Sequence, residues 1–247
     1  MLRRRGHGSI TTVRRETNVR TIGLIGGMSW ASTAVYYRLI NEEVNRRLGG
    51  QHNAKSLMAT LDFAEIEACQ AEGRWDDAGA MLASAATTLA GGGAEIMLLC
   101  TNTMHKIADY VSNATSAEFI HIADPTAAAI QREKLSTVGM LGTCYTMEQD
   151  FYRGRLEACG LTVLVPDRAQ RERVHEIIYD ELCLGKVLDE SRRDYQAVVQ
   201  SLQARGATGV ILGCTEIGLL LKPEDVAIPL FDTTRLHALA AVDAALR

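Results

Sequence analysis

Long apolar runs are absent from the sequence. No stretch approaches the roughly 18 consecutive apolar residues of a membrane-spanning helix, and the first 20 residues hold no apolar segment of signal-peptide length. We therefore expect a cytoplasmic protein without membrane partners. An arginine-rich transit peptide and a wrongly assigned start codon are two alternative explanations for residues 1–20.

The spacings that mark common cofactor sites are also missing. The six cysteines form no C-x-x-C pair, and a chain of 247 residues needs no disulfide framework, so we expect free thiols. No histidine, cysteine and aspartate cluster has metal-ligand spacing, which predicts no metal site. The glycines within residues 23–27 do not form G-x-G-x-x-G, so a dinucleotide site is not indicated.

Positive charge is concentrated in one short segment. Residues 1–20 carry six arginines and one acidic residue, whereas the whole chain has a net charge of −4, so the chain after residue 20 is acidic. Nucleic-acid phosphates require a basic surface, and we therefore expect no nucleic-acid partner. We interpret residues 1–20 as a basic, disordered leader.

Strand-like apolar runs alternate with helix-like segments from residue 21 onward, which is typical of parallel sheets with helices on both faces. Ser29 or Ser32 is the expected cap of the first helix, and the capping-box pattern at Thr146 predicts a helix start. Strands are predicted at 21–27, 95–100, 118–122, 136–142, 161–165, 208–213 and 228–231. Helices are predicted after Ser29, over 74–90, after Pro125, after Thr146, over 169–184, over 188–204 and from Asp232.

Two pairs of segments match each other within the chain. Residues 21–26 resemble residues 137–142 at an offset of 116, and residues 93–103 resemble residues 206–216 at an offset of 113. Glycine-flanked parallel strands can look alike without a duplication, but two matches at nearly one offset favour a duplicated unit. The predicted fold is α/β, with two pseudo-symmetric lobes, each a short, mostly parallel sheet flanked by helices, and an active site in the cleft between them.

The lobe boundaries follow from this duplication. We assign residues 21–122 and 227–247 to the first lobe and residues 123–226 to the second. At the offset of 113, Thr101 matches Cys214 and Cys100 matches Gly213. Successive strand residues point to opposite sides, so we expect Thr101 to face the cleft and Cys100 to lie in the core.

The two matching loops suggest proton chemistry at a carbon centre. Each loop follows a strand and begins a helix, so its N–H groups favour a carboxylate and are expected to lower the pKa of a nearby thiol. Inverting an amino acid requires two groups that flank one Cα. Cys214 and Thr101 are the candidate pair, although a threonine at 101 could also serve only as a helix cap.

Four motifs together resemble those of the aspartate/glutamate racemase family, whose members use neither pyridoxal phosphate nor a metal. In order, they are Gly26-Gly27-Met28, Thr101-Asn102-Thr103-Met104-His105, Leu141-Gly142-Thr143 and Gly213-Cys214-Thr215-Glu216. The likeness covers residues 21–247. Most members have cysteine at the position of Thr101, and this chain resembles the L-aspartate/glutamate branch that shares the threonine.

The resemblance implies an isomerase that racemises an amino acid, with Cys214 and Thr101 acting on opposite faces of the substrate. It further implies that a small-molecule amino acid, aspartate or glutamate, is the partner, and it allows a homodimer. The substrate-binding residues that it implies are Met28, Asn102, Thr103, Thr146, Cys183, Thr215 and Glu216.

Two departures from the family pattern bear on the substrate. Cys183 stands where many aspartate racemases have a lysine, and residues 61–65 lack the arginine expected after the second strand. Two other functions stay open on the residues alone: a single-cysteine decarboxylase or cis–trans isomerase of a small dicarboxylic acid, and a non-catalytic amino-acid-binding module. We interpret His105, His121 and His237 as structural residues.

Overall fold

The computed structural model describes residues 19–247, and two four-stranded parallel sheets form its framework. The predicted basic leader falls almost entirely on residues 1–18, which lie outside the described residues. The first sheet contains β1 (Ile22–Gly26), β2 (Ser56–Thr60), β3 (Ile96–Leu99) and β4 (Glu118–Phe119), and the second contains β5 (Thr137–Gly142), β6 (Thr162–Leu164), β7 (Val210–Gly213) and β8 (Leu230–Asp232).

The strands β1, β3, β5 and β7 carry apolar side chains on both faces of their sheets. Helices therefore cover both faces and bury these strands. The helices are α1 (Trp30–Leu48), α2 (Phe63–Ala71), α3 (Trp75–Gly91), α4 (Ala108–Ala114), α5 (Ala123–Arg132), α6 (Cys144–Glu148), α7 (Asp150–Ala158), α8 (Arg168–Glu176), α9 (Asp189–Ala204), α10 (Ile217–Leu220) and α11 (Thr233–Ala245). Within residues 19–247, no helix is long and apolar enough to cross a bilayer.

The two sheets repeat the same strand order and register. The first runs β2-β1-β3-β4 and the second β6-β5-β7-β8. Ile25 of β1 pairs with Leu99 of β3, and Leu141 of β5 pairs with Leu212 of β7. These pairs differ by the two offsets of 116 and 113 found in the sequence. The predicted two-lobed α/β fold is therefore confirmed.

The end of the chain divides between the two lobes. β8 pairs with β7 in the second sheet, although residues 227–247 were all assigned to the first lobe on sequence. α11 packs on α1, where Ala238, Ala241 and Val242 meet Tyr36 and Ile40 in one apolar core. The physical reason is that residues 230–232 complete a sheet edge before the apolar face of α11 turns back to α1.

Two predicted helices differ in the structure. Thr143, rather than Thr146, caps the helix after β5, since the Thr143 hydroxyl accepts from the N–H of Thr146. The helix predicted over 169–184 is α8 followed by a π-helical turn (Ile177–Glu181) and a 3₁₀ turn (Leu182–Leu184). These turns change the direction of the chain next to the cleft.

Candidate active site

The loops at the carboxyl ends of both sheets meet in one cavity between the lobes. The first lobe contributes the loops after β1 and β3 and the helix α2, and the second contributes the loops after β5 and β7 and the turns after α8. The cavity is lined by Met28, Ser29, Phe63, Gln70, Thr101, Asn102, Thr103, Thr143, Ile178, Tyr179, Cys183, Gly213, Cys214, Thr215 and Glu216. All the predicted site residues except Thr146 are in this set.

Met28 reaches the cavity because the backbone turns sharply after β1. Gly27 has a φ of +95°, and a Cβ at this position would lie 2.0 Å from the carbonyl oxygen of Leu61. Only glycine permits so close an approach of the two loops. The turn places the buried side chain of Met28 on the cavity wall.

Thr101 and Cys214 occupy equivalent positions in the two lobes. Each lies two residues beyond a register pair, since Leu99 pairs with Ile25 and Leu212 pairs with Leu141. Both side chains line the cavity. Cys100 is fully buried in the core between β1 and α1, as predicted, and burial raises the pKa of its thiol.

The Cys214 thiol is paired with a carboxylate rather than with a positive group. Its Sγ donates to Oε2 of Glu216 at 3.0 Å. Burial and the nearby Glu216 carboxylate raise the pKa of the thiol well above its ordinary value. The expected lowering of this pKa was wrong, because the helix that follows, α10, has only four residues and the carboxylate is much closer than any helix dipole.

Glu216 is buried and is surrounded by side chains that donate hydrogen bonds. Ser32 Oγ and Ser29 Oγ donate to Oε1 at 2.6 and 2.9 Å, and Thr215 Oγ1 donates to Oε2 at 2.5 Å. Ser29 and Ser32 belong to the first lobe, whereas Thr215 and Glu216 belong to the second. The carboxylate therefore holds the lobes together behind Cys214 and does not face the cavity as a free acceptor.

Neutral donors from both lobes cross the cavity floor. Thr103 Oγ1 lies 3.2 Å from Thr143 Oγ1, and the Asn102 amide donates to Thr233 Oγ1 at 3.1 Å. In the described part of the chain, the buried Oδ1 of Asn102 has no hydrogen-bond partner. Thr103, Thr143 and Asn102 are thus available to a polar ligand.

Thr146 does not line the cavity. It is fully buried, and its methyl group packs over two glycines, because a Cβ at Gly142 or Gly213 would come within 3.3 Å of its side chain. Its neighbour Thr143 occupies the cavity wall instead. The capping-box pattern at Thr146 placed the helix start three residues too late, since Thr143 is the N-cap.

The remaining wall is formed by Phe63, Gln70, Tyr179 and Cys183. Burial and the Glu216 carboxylate raise the pKa of Cys183 to about 12, so this thiol stays neutral. No lysine or arginine is among the described lining residues. A second carboxylate on a ligand would therefore be held by neutral groups.

Gln70 and Phe63 were not found from the sequence. Both lie on α2, a nine-residue helix without a strong apolar stripe. The Gln70 amide donates to Met104 Sδ at 2.9 Å, and its oxygen has no partner within residues 19–247. A polar residue four positions after the buried Ile66 was the available signal, because residues four apart share a helix face.

The three predicted structural histidines form one buried cluster behind the site. His105 Nδ1 donates to the Thr101 carbonyl at 2.8 Å, and its Nε2 accepts from the N–H of Ile122 at 3.2 Å. The ring centroids of His105 and His121 are 4.6 Å apart, and those of His105 and His237 are 5.7 Å apart. Burial lowers the pKa of all three. None of the three lines the cavity.

The fold and the paired loops place this protein among the two-lobed α/β racemases, which are isomerases. A family model described as Asp/Glu/hydantoin racemase matches residues 25–241. The chain belongs to this family.

Solved structures agree with that assignment. A Yersinia pestis protein proposed to be an Asp/Glu racemase is 51% identical, with a TM-score of 0.87, and the match covers 92% of this chain and 100% of that one. An aspartate racemase homologue from Pyrococcus horikoshii OT3 is 30% identical, with a TM-score of 0.80 and the same coverage of both chains. The aspartate racemase of Picrophilus torridus, 18% identical over 92% of this chain and 94% of that one, has a TM-score of 0.72 and shows the common fold.

Proposed function

We propose that the protein racemises aspartate or glutamate without a cofactor, with Cys214 and Thr101 acting on opposite faces of the Cα atom. The observation that carries the proposal is the equivalence of these two residues in lobes of identical register, on one shared cavity. A racemase needs two proton-transferring groups on opposite sides of a flat carbanion. The repeated fold supplies two such positions.

The polar floor of the cavity suits the α-carboxylate and α-ammonium groups. Thr103 and Thr143 can donate to the carboxylate, and the unpartnered Oδ1 of Asn102 can accept from the ammonium. Hydrogen bonds to the carboxylate also stabilise the negative charge that develops when the Cα proton leaves. The ligand's carboxylate and ammonium groups would not have to displace a charged protein side chain from these three residues.

The side chain of the substrate would lie against Phe63, Gln70, Tyr179 and Cys183. The choice of aspartate or glutamate as the substrate rests on the relatives and not on a lysine or arginine that would pair with the substrate's second carboxylate. Among the described lining residues, the Gln70 amide and the Tyr179 hydroxyl are the groups that could bind the second carboxylate. We therefore expect weak binding of these substrates, because neutral hydrogen bonds contribute less than charged ones.

Proton exchange in D₂O tests the proposal directly. Incubation with L- and D-aspartate and with L- and D-glutamate should place deuterium on Cα and form the opposite enantiomer, as followed by NMR and chiral chromatography. Cys214→Ala should reduce inversion in both directions, and Cα exchange of the enantiomer whose proton goes to Cys214, by about a thousandfold or more, because the base on one face is lost. Cys144→Ala, which removes another half-buried thiol outside the cavity, is the matched control.

Three outcomes would contradict parts of the proposal. Exchange of other amino acids but not of aspartate or glutamate would reject the substrate and keep the racemase. Failure of every amino acid to exchange would reject racemisation. Release of carbon dioxide from an arylmalonate, or formation of fumarate from maleate, would then identify a single-cysteine enzyme on the same fold.

A further inference from the structure

We propose that Glu216 and Thr215 form a proton path from Cys214, through Ser32, to solvent in a second cavity next to the site. The inference rests on the proposed racemisation and adds a role to residues that otherwise only hold the lobes together. Glu216 does not touch the substrate. It acts through Cys214, whose proton it takes up and returns. Three contacts and one cavity support it.

The contacts form a continuous chain from the sulfur of Cys214 through three side-chain oxygen atoms. Cys214 Sγ lies 3.0 Å from Glu216 Oε2, this oxygen lies 2.5 Å from Thr215 Oγ1, and Thr215 Oγ1 lies 2.5 Å from Ser32 Oγ. Each distance is within hydrogen-bonding range. A proton can move along such a chain when every hydroxyl accepts one proton and gives up its own.

The second cavity reaches the outer end of the chain. It has a volume of about 400 Å³ and shares Ser29, Cys183, Thr215 and Glu216 with the substrate cavity. Ser32 lines only this second cavity. Its rim carries the exposed side chains of Trp30, Leu184 and Leu219, so it is open to solvent. Glu216 and Thr215 therefore line both cavities, and Ser32 ends the chain of contacts in the second.

The transfer balances as a simple proton relay. The S–H bond of Cys214 breaks, its electron pair stays on sulfur, and the proton joins Oε2 of Glu216. The Thr215 hydroxyl, turned toward Ser32, passes its own proton to Ser32 and takes the one from Glu216; Ser32 can also take the proton directly from Glu216. The O–H of Ser32, turned from Glu216 toward the second cavity, gives its own proton to water there. The reverse sequence returns a solvent proton to sulfur. Both directions are needed, because Cys214 must act as base for one enantiomer and as acid for the other.

Isotope exchange during turnover distinguishes a relay from a purely structural carboxylate. A proton that Cys214 removes from Cα in D₂O is replaced by solvent deuterium before it can return, so the recovered starting enantiomer gains deuterium without inversion. We measure the ratio of this exchange to inversion for L- and D-substrate separately. The ratio compares two fates of one bound carbanion, so losses in substrate binding or in the amount of folded protein cancel.

Glu216→Gln keeps the side-chain shape but removes the carboxylate that accepts the proton from Cys214. Thr215→Val also keeps the shape but removes only one branch of the path, because Ser32 Oγ lies 2.6 Å from Glu216 Oε1 and can take the proton directly. Glu216→Gln should lower the ratio about tenfold for the enantiomer whose proton goes to Cys214 and leave it unchanged for the other enantiomer. Thr215→Val should lower the ratio less, and for the same enantiomer. Glu216→Asp, which keeps a carboxylate, should restore part of the ratio. Ser191→Ala is the matched control, because it removes a buried hydroxyl that donates to Glu181 outside the site.

An unchanged ratio in Glu216→Gln would overturn the relay, as would an equal fall for both enantiomers. If Glu216→Gln does not fold, Ser32→Ala decides, because both branches of the path meet at the Ser32 hydroxyl, and the same fall is expected for the same enantiomer. Inversion with deuterium in the product but none in the recovered substrate of the unmutated protein would also reject the relay while leaving the proposed racemisation intact. Absence of deuterium from every product would instead reject the racemisation itself.

Discussion

Thr101 and Cys214 are equivalent in position, yet their immediate surroundings differ. Cys214 donates to Glu216, two residues further on, whereas the residue two positions after Thr101 is the neutral Thr103. In the described part of the chain, the Thr101 hydroxyl makes no hydrogen bond; only the backbone groups of this residue do, the N–H to Leu99 and the carbonyl to His105. Cys214 and Thr101 therefore differ both in the acidity of their own side chains and in the group that lies beside each of them. A hydroxyl without a base beside it is a poor proton acceptor.

Thr101→Cys tests how much this residue limits the rate. A thiol is far more acidic than an alcohol, so we expect kcat to rise about tenfold in the direction that uses residue 101 as base. The kcat/KM values of the two enantiomers must remain equal, because the equilibrium constant of a racemisation is one. Initial rates from pure L- and D-substrate provide the measurement.

Thr101→Val is the matched control for that substitution, since it keeps the shape and removes the hydroxyl. We expect it to abolish inversion in both directions while Cys214 still exchanges one enantiomer. Unmutated rates in Thr101→Val would show that the threonine contributes no proton and only helps to shape the loop.

α8 illustrates how an element at the surface supports the site. Asp167 caps this helix, and its carboxylate accepts from the N–H of Gln170 at 2.9 Å. α8 continues through the π-helical and 3₁₀ turns to Tyr179 and Cys183 on the cavity wall. The cap thus determines where this continuous segment starts.

Asp167→Ala should lower the free energy of unfolding by about 1 kcal/mol, because one backbone N–H loses its partner at the helix start. Asp167→Asn keeps the capping oxygen and should cost much less. Urea unfolding of the three proteins measures both effects. Equal losses in the alanine and asparagine variants would mean that the charge, and not the cap, supplies the stability.

The sequence pattern predicted every strand except β2, and it marked most clearly the strands that are buried on both faces. β1, β3, β5 and β7 are short apolar runs, and hydrophobic pattern alone finds them. β2 is a half-exposed edge strand, and its alternation is too short to stand out. The following helix α2 was missed with it, and so were Phe63 and Gln70. Edge strands and short helices are fixed by tertiary contacts that a local pattern does not record.

The site was predictable where the repeat constrained it. The offset of 113 gave Thr101 as the partner of Cys214 and placed Cys100 in the core, and the register of the sheets agrees. The pKa direction of Cys214 was not predictable, because it depends on how Ser29 and Ser32 bring a buried carboxylate to within 3.0 Å of the sulfur. Those serines come from the other lobe.

The chain passes from the first sheet to α5 at residues 120–123, and the histidine cluster holds this connection in place. His237 Nε2 donates to the carbonyl of Ile120 at 2.7 Å, and its Nδ1 accepts from the Tyr36 hydroxyl at 2.9 Å. His105 bonds Ile122, and His121 accepts from the N–H of Ala123. The ring nitrogens of His105 and His237 are both occupied, so a proton on either ring would remove an acceptor and add a buried charge.

Mild acid should therefore destabilise the whole molecule. Burial lowers the pKa of His121 to about 4 and of His237 to about 3, whereas both titrate near 6.5 in the unfolded chain. Between these values the unfolded state binds more protons. The contribution of the histidines to the free energy of unfolding is fully present above about pH 6.5. As the pH is lowered below this value, the free energy of unfolding decreases by up to about 1.4 kcal/mol per histidine per pH unit.

Urea unfolding at pH 7 and pH 5 measures this loss. His237→Gln removes one titrating group and keeps a donor and an acceptor. The free energy of unfolding should therefore change less between pH 7 and pH 5, by the contribution of one histidine. His52→Gln, at an exposed position, is the control. A slope that is the same in both variants would assign the acid sensitivity to other groups.

The N–H of Arg20 donates to the carbonyl of Ala245 at 3.0 Å, so two positions at opposite ends of the described chain lie side by side. A circular permutant can exploit this proximity, because joined termini add little strain when they already touch. A chain with residues 135–247 first, a short glycine-serine linker, and residues 19–134 last would open the exposed turn at Lys134. Such a chain should keep both sheets and catalyse Cα exchange in D₂O. A permuted chain that folds but does not exchange would show that an unbroken connection between the lobes is needed to align Thr101 with Cys214.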